Sequence, residues 1–423
     1  MIANSKVLSL RPEFALPIFF PPELPISDSI DEISCAIADH QVIIIVGETG
    51  SGKTTQIPKI CLAQGRGRQG VIVHTQPRRL AAKGIAKRLQ QELGDPDAVG
   101  TRIRFDDKTS PANYIQVMTD GLLLNLLTQD PMLRWCDTLI VDEAHERSLN
   151  IDFLLGLIRR LLKQRPEFRV IITSATIKHH LFSEFFQRAP VFTVSGRTYP
   201  VDIQYSASDT WGDFNSDQSV AGIIHVVKDI YEHSNLQGGV AQNACDTLVF
   251  LPGERQIHDA AHGLRRYFGE RFDILPLYAR LANQDQAKVF EPGAKVRIVL
   301  ATNLAETSIT VPRIGYVIDS GIVRVSRYSP RRKVQLLPLE PISKSSAAQR
   351  AGRCGRIAPG VCYRLYSQED FESRPDYPEA EIHRTHLAGV ILQMKAMNLG
   401  EPGVFPFIEA PALKMINDGY QLL

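Results

Sequence analysis

The chain is poor in the features that mark secreted and membrane proteins. Its 423 residues include only six cysteines, none of them in a CxxC pair or at the Cys/His spacing of a zinc site. This usage indicates reduced thiols in a reducing compartment and no structural zinc. No apolar run approaches the roughly 20 residues needed to span a bilayer, and charges and prolines interrupt the apolar amino terminus before a signal-like core forms. We therefore expect a cytoplasmic location and no membrane partner.

The chain also carries little net charge. Its formal charge is +2 with 22% charged residues, so a polyanion partner would have to be held by local basic patches and not by a global positive field. The hydrophobic content of 44% is sufficient for sizeable cores, and the length predicts two to three domains of about 150 residues each.

Two series of short β-branched runs predict an α/β fold. Each run is followed by a turn and a helical pattern, which is typical of buried strands in parallel sheets. The predicted strands are Val42–Val46, Val71–His74, Thr138–Val141, Val170–Thr173, Thr247–Phe250, Val296–Leu300 and Tyr316–Asp319. A stretch with Gly and Pro at residues 194–200 predicts the linker between two units, and polar stretches at residues 206–219 and 233–246 predict surface loops in the second unit.

The carboxyl-terminal stretch differs from both units. It predicts one helix over about His383–Met397, a loop rich in Pro and Gly, and the fragment Lys414–Leu423. This is too little to fold alone, so it either docks on the second unit or begins a further domain. The predicted divisions are an extension at residues 1–27, a first domain at 28–195, a second domain at 196–375 and the terminal part at 376–423.

The strongest motif is a phosphate-binding loop between a predicted strand and a predicted helix. It comprises Gly47, Glu48, Thr49, Gly50, Ser51, Gly52, Lys53, Thr54 and Thr55, which match the pattern GxxxxGK[ST]. The glycines let backbone N–H groups point at phosphate oxygens, and the following helix adds its positive end. Lys53 would bridge the β- and γ-phosphates, and the Thr54 hydroxyl would ligate Mg²⁺. A merely structural Gly-rich turn is the alternative.

A pair of carboxylates follows another predicted strand. Asp142 and Glu143 stand after the run Thr138–Val141, at the sheet edge where ligands of parallel sheets bind. Asp142 would hold Mg²⁺ through its water shell. Glu143 would orient and deprotonate the attacking water, because phosphoryl transfer depends on positioning and charge neutralisation. A solvated acidic pair is the alternative.

Three arginines recur at spacings of three residues in the second unit. Arg350, Arg353 and Arg356 are predicted to share one helix face. If that face closes over the nucleotide, Arg353 and Arg356 would stabilise charge on the transferred phosphoryl group. The alternative is a solvated basic face that contacts RNA phosphates, and for Arg350 the sequence favours neither.

The full set of motifs resembles the DEAH-box group of superfamily 2 helicases, and within that group the bacterial HrpA-type RNA helicases. The motifs are Gly47–Thr55, Thr75–Arg79, Thr119–Gly121, Asp142–Ser148, Ser174–Thr176, Thr302–Thr310 and Gln349–Arg356, in the order of the family. The resemblance runs from about residue 28 to the end. It implies two RecA-like domains with ATP between them, followed by the opening of a winged-helix domain.

The resemblance also implies roles for single residues. Ser174 and Thr176 would couple hydrolysis to domain movement, and Gln349 would contact the γ-phosphate. Arg88 and Phe290 occupy positions that stack on the base, and because stacking does not read base identity, other NTPs are expected beside ATP. A surface arginine and a core phenylalanine are the alternative for these two.

For RNA, the resemblance implies contacts to the sugar-phosphate backbone, which position a strand without reading its sequence. The implied contact residues are Arg78, Arg79, Thr119, Thr302 and Asn303. Residues 322–350 match the hairpin that the family places near the duplex junction, and they hold a single acid, Glu340. Their basic residues are Arg324, Arg327, Arg331, Arg332, Lys333, Lys344 and Arg350. A merely solvated hairpin is the alternative.

The sequence therefore predicts a monomeric, ATP- and Mg²⁺-dependent RNA helicase core, and the resemblance implies movement from 3′ to 5′. Because the resemblance covers only the opening of the winged-helix domain, a second hypothesis is a nucleotide-gated RNA clamp that hydrolyses ATP without unwinding. A small-molecule kinase or GTPase on the same loop is disfavoured, since it would need neither the segment Gln349–Arg356 nor a second α/β unit.

Overall fold

The computed structural model describes residues 10–48, 50–175, 179–196, 199–205, 216–233, 246–291, 293, 295–307 and 310–423. They form two compact units. Unit 1 contains the residues up to Gly196 together with Tyr328–Val334 and Glu379–Leu423, and unit 2 contains Arg197–Arg327 and Gln335–Pro378. Each unit is built on its own parallel sheet, which confirms the predicted α/β fold.

Unit 1 contains an eight-stranded sheet. Its strands are β1 (Val42–Gly47), β2 (Val71–Gln76), β3 (Val99–Ile103), β4 (Asp106–Lys108), β5 (Ile115–Thr119), β6 (Cys136–Val141), β7 (Arg169–Ser174) and β8 (Val191–Val194). The spatial order is β4-β3-β5-β2-β6-β7-β1-β8, and neighbouring strands are parallel except β3 and β4. The carboxyl ends of β6, β7 and β1 therefore lie side by side at one edge of the sheet.

Helices cover both faces of this sheet. They are α1 (Ile30–Asp39), α2 (Lys53–Ala63), α3 (Arg79–Leu93), α4 (Asp120–Gln129), α5 (Leu149–Leu162) and α6 (His179–Phe185). Apolar residues of α1, α2 and α3 pack on one face, and those of α4, α5 and α6 pack on the other. All residues of β1, β2 and β6 are buried, as expected for strands covered on both sides.

Unit 2 repeats the plan with a six-stranded parallel sheet. Its strands are β9 (Val201–Tyr205), β10 (Asp246–Phe250), β11 (Asp273–Leu277), β12 (Arg297–Ala301), β13 (Ile314–Asp319) and β18 (Gly360–Arg364). Their spatial order is β11-β12-β10-β13-β18-β9. Its helices are α7 (Ser216–His233), α8 (Glu254–Phe268), α9 (Asn283–Lys288), α10 (Lys344–Ala351) and α11 (Gln368–Ser373). Each of the seven predicted strands coincides with an observed strand of unit 1 or unit 2.

Short strands after β13 form the predicted hairpin. They are β14 (Ile322–Arg324), β15 (Arg327–Ser329), β16 (Val334–Leu336) and β17 (Leu339–Pro341). β14 pairs antiparallel with β17, and β15 lies beside β16. Of the predicted loops, residues 206–215 and 234–245 lie outside the described residues, whereas residues 216–219 begin α7 and are not a loop.

The carboxyl-terminal segment Glu379–Leu423 packs on unit 1, so of its two alternatives, docking on the second unit is wrong, and the opening of a further domain stays a prediction. Its helices are α12 (Ala388–Ala396) and α13 (Leu413–Leu422). The rings of Phe405 and Phe407 lie 5.4 Å and 6.4 Å from that of Phe153 on α5. Apolar residues of the segment belong to the hydrophobic core on the sheet face that α4, α5 and α6 cover. The small size of the segment predicted that it cannot fold alone but carried no information about the surface on which it packs.

The predicted helix over His383–Met397 is also too long. A 3-10 helix occupies Glu381–His383, and α12 begins only at Ala388. The carbonyl of Arg384 accepts a hydrogen bond from the backbone N–H of Tyr328. Because that carbonyl is engaged by a distant residue, it is not used by the helical ladder that would have continued through this turn.

Candidate active site

The phosphate-binding loop connects β1 to α2 at the carboxyl edge of the unit 1 sheet. Gly50 and Gly52 have φ of +96° and +93°, in the left-handed region that glycine adopts without strain. The loop is supported by the amino-terminal extension, since the backbone N–H of Ile26 donates to the Ser51 carbonyl at 3.1 Å. A Cβ at Gly52 would lie 2.9 Å from Cγ2 of Ile26. Thr49 of the motif lies outside the described residues.

Lys53 is buried and points its ammonium group into the loop. Its Nζ donates to the Gly47 carbonyl, to the Glu48 carbonyl at 2.7 Å and to Oγ of Ser51 at 3.0 Å. These acceptors belong to the loop itself, so its positive charge lies among the residues predicted to bind phosphate. An ammonium group held this way is suited to neutralise phosphate oxygens.

Asp142 is buried at the end of β6 and is held by polar groups from two neighbouring strands, β2 and β7. Its Oδ2 accepts from Nε2 of Gln76 at 2.6 Å and of His74 at 3.2 Å, and its Oδ1 accepts from the Thr173 hydroxyl. Burial alone would raise the pKa of Asp142, but hydrogen bonds from His74, Thr173 and Thr54 outweigh it and hold the pKa well below its usual range. The carboxylate is therefore ionised.

Thr54 and Asp142 fit the two protein ligands predicted for Mg²⁺. Thr54 lies close enough to Asp142 to help lower its pKa, so a hydroxyl group is near an ionised carboxylate. Mg²⁺ prefers such oxygen ligands and fills its remaining positions with water and substrate phosphates. Within the described residues, no group of three or more His, Cys, Asp and Glu could hold a metal ion alone.

Glu143 begins a strained turn, the acidic turn Glu143–Arg147. A 3-10 helix over Ala144–Glu146 forms its middle. Its first and last residues have φ of +55° and +46°, a conformation that costs a non-glycine residue roughly 1–2 kcal/mol. The turn places the Glu143 carboxylate directly after Asp142, next to the phosphate-binding edge, where the sequence predicts the base.

His145 ties the acidic turn to the end of β7. Its Nδ1 accepts a hydrogen bond from the backbone N–H of Ala175 at 3.2 Å. Burial, with the nearby positive charge of Lys53, lowers the pKa of His145 to about 4 although acidic neighbours oppose the shift. The imidazole is thus neutral with its proton on Nε2. The Oε2 of Glu143, 3.4 Å from Nδ1, therefore faces a lone pair and not a cation.

Arg147 closes the acidic turn with an extensive set of contacts. Its Nε and Nη2 donate to the two carboxylate oxygens of buried Asp152 at 2.6 Å and 3.0 Å, and its Nη1 lies 2.9 Å from Oε2 of Glu409. Its carbonyl accepts from the backbone N–H of Glu381 at 3.0 Å, while Oε2 of Glu381 accepts from the N–H of Leu149 at 2.9 Å. Two residues of the carboxyl-terminal segment therefore touch the end of the turn.

The three arginines of unit 2 do not share a helix face, so that prediction is wrong. α10 ends at Ala351, and Arg353 and Arg356 lie in the turns that follow. Arg350 is only 1% exposed; its Nε donates to Glu306 at 3.0 Å and its Nη1 to Asp319 at 2.7 Å. Of its two readings, the RNA contact is excluded by burial. Arg350 instead neutralises two carboxylates inside unit 2.

Arg353 and Arg356 have different surroundings. The buried Arg353 donates through Nη2 to the carbonyls of Glu306 and Thr307, the latter at 2.8 Å, and the partly exposed Arg356 donates to the Thr310 hydroxyl at 2.6 Å. Both are thus fixed against the segment after β12, as is suitable for groups that must point in a set direction. Their action on a phosphoryl group, and that of the partly exposed Gln349 on α10, stay predictions.

The two residues predicted to stack on the base both reach the surface of their units. Arg88 on α3 has a side chain that is 61% exposed, and its Nε lies 2.6 Å from Oε1 of Glu92. Phe290, after α9, is 40% exposed. The alternative of a core phenylalanine is therefore wrong for Phe290, and stacking stays a prediction for both residues. Of the predicted coupling residues, Ser174 ends β7 in a buried position, and Thr176 lies outside the described residues.

The predicted RNA contacts of the first and second units lie at the starts of helices. Arg78 precedes α3 and pairs with Glu146 of the acidic turn at 3.2 Å. Arg79 is the exposed first residue of that helix, and Thr119 precedes α4. Thr302 caps the 3-10 helix Asn303–Ala305 by accepting from the N–H of Leu304.

The hairpin concentrates its positive charge at the tip. Arg327 pairs with Glu340 through two hydrogen bonds, one of 2.9 Å, and Lys344 lies 3.5 Å from Asp376. With Arg350 buried, three of the seven basic residues have acidic partners. The exposed ones are Arg324, Arg331, Arg332 and Lys333. The exposed basic residues retain positive charge for the predicted phosphate contacts, although they are four and not the seven counted from the sequence.

Several residues around the acidic turn escaped the sequence analysis. His74 and Gln76 lie two positions apart on β2 and so face the same side of the sheet, a signal that could have paired them with a neighbouring strand. Thr173 directly precedes the motif at Ser174. Glu381 and Glu409 carry no comparable signal, because nothing local connects them to a turn more than 230 residues earlier.

Together these features define the class of the protein. A phosphate loop after β1, an acidic pair after β6 and a buried serine at the end of β7 share one sheet edge, as in P-loop nucleoside-triphosphate-binding proteins, and a second parallel-sheet unit follows. The DEAD/DEAH box helicase family model matches residues 28–183, and the helicase conserved C-terminal domain model matches residues 230–358. The chain belongs to the DEAD/DEAH box helicases.

Particular relatives match all or nearly all of the chain. It is 51% identical to the ATP-dependent RNA helicase HrpA of Escherichia coli over 426 residues, covering 100% of this chain and 32% of that protein. It is 50% identical to the HrpA homolog of Haemophilus influenzae, covering 96% of this chain and 30% of that protein. The crystal structure of the Escherichia coli DEAH/RHA helicase HrpB matches with a TM-score of 0.85 and 30% identity, covering 95% of this chain and 50% of that one.

The chain spans about a third of the length of these two HrpA proteins. Within the part of the chain that the structure describes, no helix has the length and apolarity required to cross a membrane.

Proposed function

We propose that this chain is the core of an ATP-dependent RNA helicase, which hydrolyses ATP and uses the energy to move on RNA. The observation that carries the proposal is the parallel order of β6, β7 and β1, which brings the phosphate loop after β1 and the pair Asp142 and Glu143 after β6 to the same place. It joins the two motifs of a hydrolytic phosphate site at one sheet edge. The relatives named ATP-dependent RNA helicases support the same reading.

In this proposal the residues of unit 1 divide the work of hydrolysis. The ammonium group of Lys53 neutralises the β- and γ-phosphates, and Thr54 with ionised Asp142 would hold Mg²⁺. When bound, Mg²⁺ supplies further neutralisation of phosphate charge. Glu143 orients the attacking water and accepts its proton. His145 keeps the acidic turn against β7, whose end carries the proposed coupling residue Ser174.

Further residues have proposed roles in hydrolysis and binding. Arg353 and Arg356 stabilise charge on the transferred phosphoryl group, and Gln349 contacts the γ-phosphate. Arg88 and Phe290 stack on the base, so NTPs other than ATP are accepted. RNA is held through its backbone, as proposed for the contact residues at the helix starts and for the basic hairpin tip. A cytoplasmic location, a monomeric state and the start of a winged-helix domain at residues 376–423 remain predictions for this chain.

ATP hydrolysis with and without single-stranded RNA tests the catalytic half of the proposal. We expect turnover that RNA increases, and none above background in Lys53→Ala. Because Lys53 also bonds to its own loop, circular dichroism must show that the variant is folded. Wild-type turnover no higher than that of folded Lys53→Ala, with RNA present, would refute hydrolysis at this site.

Strand displacement on tailed duplexes tests movement. We expect an RNA duplex with a 3′ single-stranded tail to be unwound when ATP is present, and one with a 5′ tail to persist. ATP hydrolysis is measured in the same tubes. Hydrolysis without displacement of either duplex would replace unwinding by the nucleotide-gated clamp, and preference for the 5′ tail would reverse the proposed direction.

A further inference from the structure

Residues of the carboxyl-terminal segment bind the end of the acidic turn, and they lie beyond the regions that the two helicase family models match. We propose that Glu381 is a positioning residue for hydrolysis, through which the segment Glu379–Leu423 fixes the acidic turn and with it Glu143. The inference rests on the proposed role of Glu143 in hydrolysis. The two models end at residues 183 and 358, so neither assigns a function to Glu381.

Glu381 grips the chain on both sides of Ser148. Its backbone N–H donates to the Arg147 carbonyl at 3.0 Å. Its Oε2 accepts a hydrogen bond at 2.9 Å from the N–H of Leu149, a residue 232 positions earlier in the chain. Leu149 is the first residue of α5, and Ser148 caps the same helix by accepting from the Ile151 N–H at 3.2 Å. A carboxylate at a helix amino terminus is favoured by the helix dipole. Glu381 thus joins the end of the turn to a fixed helix.

The acidic turn requires such support because its backbone is unfavourable. Both Glu143 and Arg147 adopt positive φ without being glycine, and such residues persist only where their surroundings determine them. Inside the turn, the N–H of Glu146 donates to the Glu143 carbonyl and that of Arg147 to the Ala144 carbonyl. A shift of Arg147 is therefore transmitted to Ala144, the neighbour of Glu143, by one hydrogen bond and to Glu143 itself through Glu146 by the other.

The Arg147 side chain strengthens the same connection. Asp152 of α5 accepts hydrogen bonds from Nε and Nη2 of Arg147. Oε2 of Glu409, in the carboxyl-terminal segment, lies 2.9 Å from Nη1 of Arg147. Glu409 is about half exposed, so this pair is a weak contributor. Glu381, which binds backbone groups at fixed positions, is the stronger test of the inference.

The segment is itself anchored well enough to act as a support. Phe405 and Phe407 pack on Phe153 of α5, and Ile382, the neighbour of Glu381, is fully buried. Glu381 therefore has little freedom of its own. A carboxylate held this firmly can restrain the groups that it binds.

Three variants separate positioning from folding. Glu381→Ala removes the acceptor of the Leu149 N–H, Glu381→Gln keeps an acceptor oxygen in the same place, and Glu401→Ala is the matched control. Glu401 lies in the same segment, but its carboxylate binds Lys395 and the Tyr420 hydroxyl of that segment. For each variant we would measure kcat and KM for ATP with saturating RNA, and hydrogen exchange of the peptide containing residues 143–151.

We expect Glu381→Ala to lower kcat about tenfold with KM changed less than about twofold, since a small misplacement of a catalytic group affects the chemical step more than binding. Exchange of residues 143–151 should rise in Glu381→Ala alone. Glu381→Gln should restore both readouts, and Glu401→Ala should match wild type.

The failures of this inference and of the proposed function are distinguishable. Unchanged exchange in Glu381→Ala, or raised exchange with unchanged kcat, would overturn the positioning role while leaving hydrolysis intact. A fall in kcat that Glu381→Gln does not reverse would also overturn it. Absence of turnover in the wild-type protein would overturn the proposed function itself, whatever the exchange experiment shows.

Discussion

The backbone N–H of Ala175 donates a hydrogen bond to Nδ1 of His145 at 3.2 Å. This contact joins the strained turn after β6 to the residue that follows β7. The strands β6 and β7 are neighbours in the sheet. It also fixes the tautomer of a buried histidine, because Nδ1 can accept only when it carries no proton. The neutral state of His145 is thus a structural requirement at the sheet edge that carries the proposed active site.

That requirement predicts a pH dependence of stability. The pKa of His145 falls from 6.5 to about 4 on folding, so the unfolded chain binds more protons between those values and the free energy of unfolding decreases as pH falls through this window. His145→Asn retains an acceptor for Ala175 but does not titrate. We expect the stability difference between wild type and variant to shrink by up to about 3 kcal/mol as pH falls from 7 to 4.5. Urea unfolding at several pH values measures it, and a constant difference would contradict the prediction.

A second prediction concerns the proposed base. Glu143→Gln keeps the shape of the side chain but cannot accept the proton of the attacking water. We expect ATP binding to persist while hydrolysis falls by about 10²-fold or more, because the phosphate loop and Asp142 are unchanged. A fluorescent ATP analogue measures binding, and phosphate release measures turnover. Glu167→Gln, an exposed carboxylate of the same unit, should leave both unchanged, and wild-type turnover in Glu143→Gln would remove Glu143 as the base.

A third prediction follows from the buried position of Arg350. Arg350→Met leaves Glu306 and Asp319 without their shared cation, and a broken buried ion pair costs roughly 3–5 kcal/mol. We expect a loss of that size in the free energy of unfolding. Arg332→Met, at the exposed hairpin tip, should change stability by less than about 0.5 kcal/mol. A stable Arg350→Met protein with weakened RNA binding would instead restore the RNA reading.

The sequence predicts the parallel strands and the phosphate loop well because these depend on local pattern. Val42–Val46 is an apolar β-branched run, and such a run is buried on both faces wherever helices cover a sheet. The loop that follows requires glycine at positions of positive φ, so Gly50 and Gly52 are readable as a motif. The acidic pair at Asp142 is predicted for the same reason, since it directly follows a strand.

What the sequence does not predict depends on partners far along the chain. Arg350 looks like part of a basic helix face until Glu306 and Asp319, 44 and 31 positions away, are brought beside it. The spacing of Arg350, Arg353 and Arg356 suggested one helix, but α10 ends at Ala351, before the second of these arginines. The packing of Phe405 on α5 also depends on residues far apart in the chain, and an apolar pattern does not predict which surface such a side chain contacts.

That docking yields a fourth prediction, in which one substitution has opposite effects at two helical glycines. In α5, a Cβ at Gly156 would lie 2.3 Å from Cε1 of Phe405 and 2.8 Å from the Pro406 carbonyl, so Gly156→Ala must displace the carboxyl-terminal segment. In α3, a Cβ at Gly84 meets nothing within 4 Å. We expect Gly84→Ala to stabilise unit 1 by about 0.5–1 kcal/mol through helix propensity, and Gly156→Ala to destabilise it.

Urea unfolding gives the two signs, and limited proteolysis shows where the structure is loosened. Cleavage within Glu379–Leu423 should accelerate in Gly156→Ala and stay at the wild-type rate in Gly84→Ala. Because both substitutions add the same methyl group to a helix, a difference in sign isolates the close approach of Phe405 from the propensity of alanine. Stabilisation at both positions would mean that α5 and Phe405 are not in contact in solution, and the support of the acidic turn by this segment would lose its anchor.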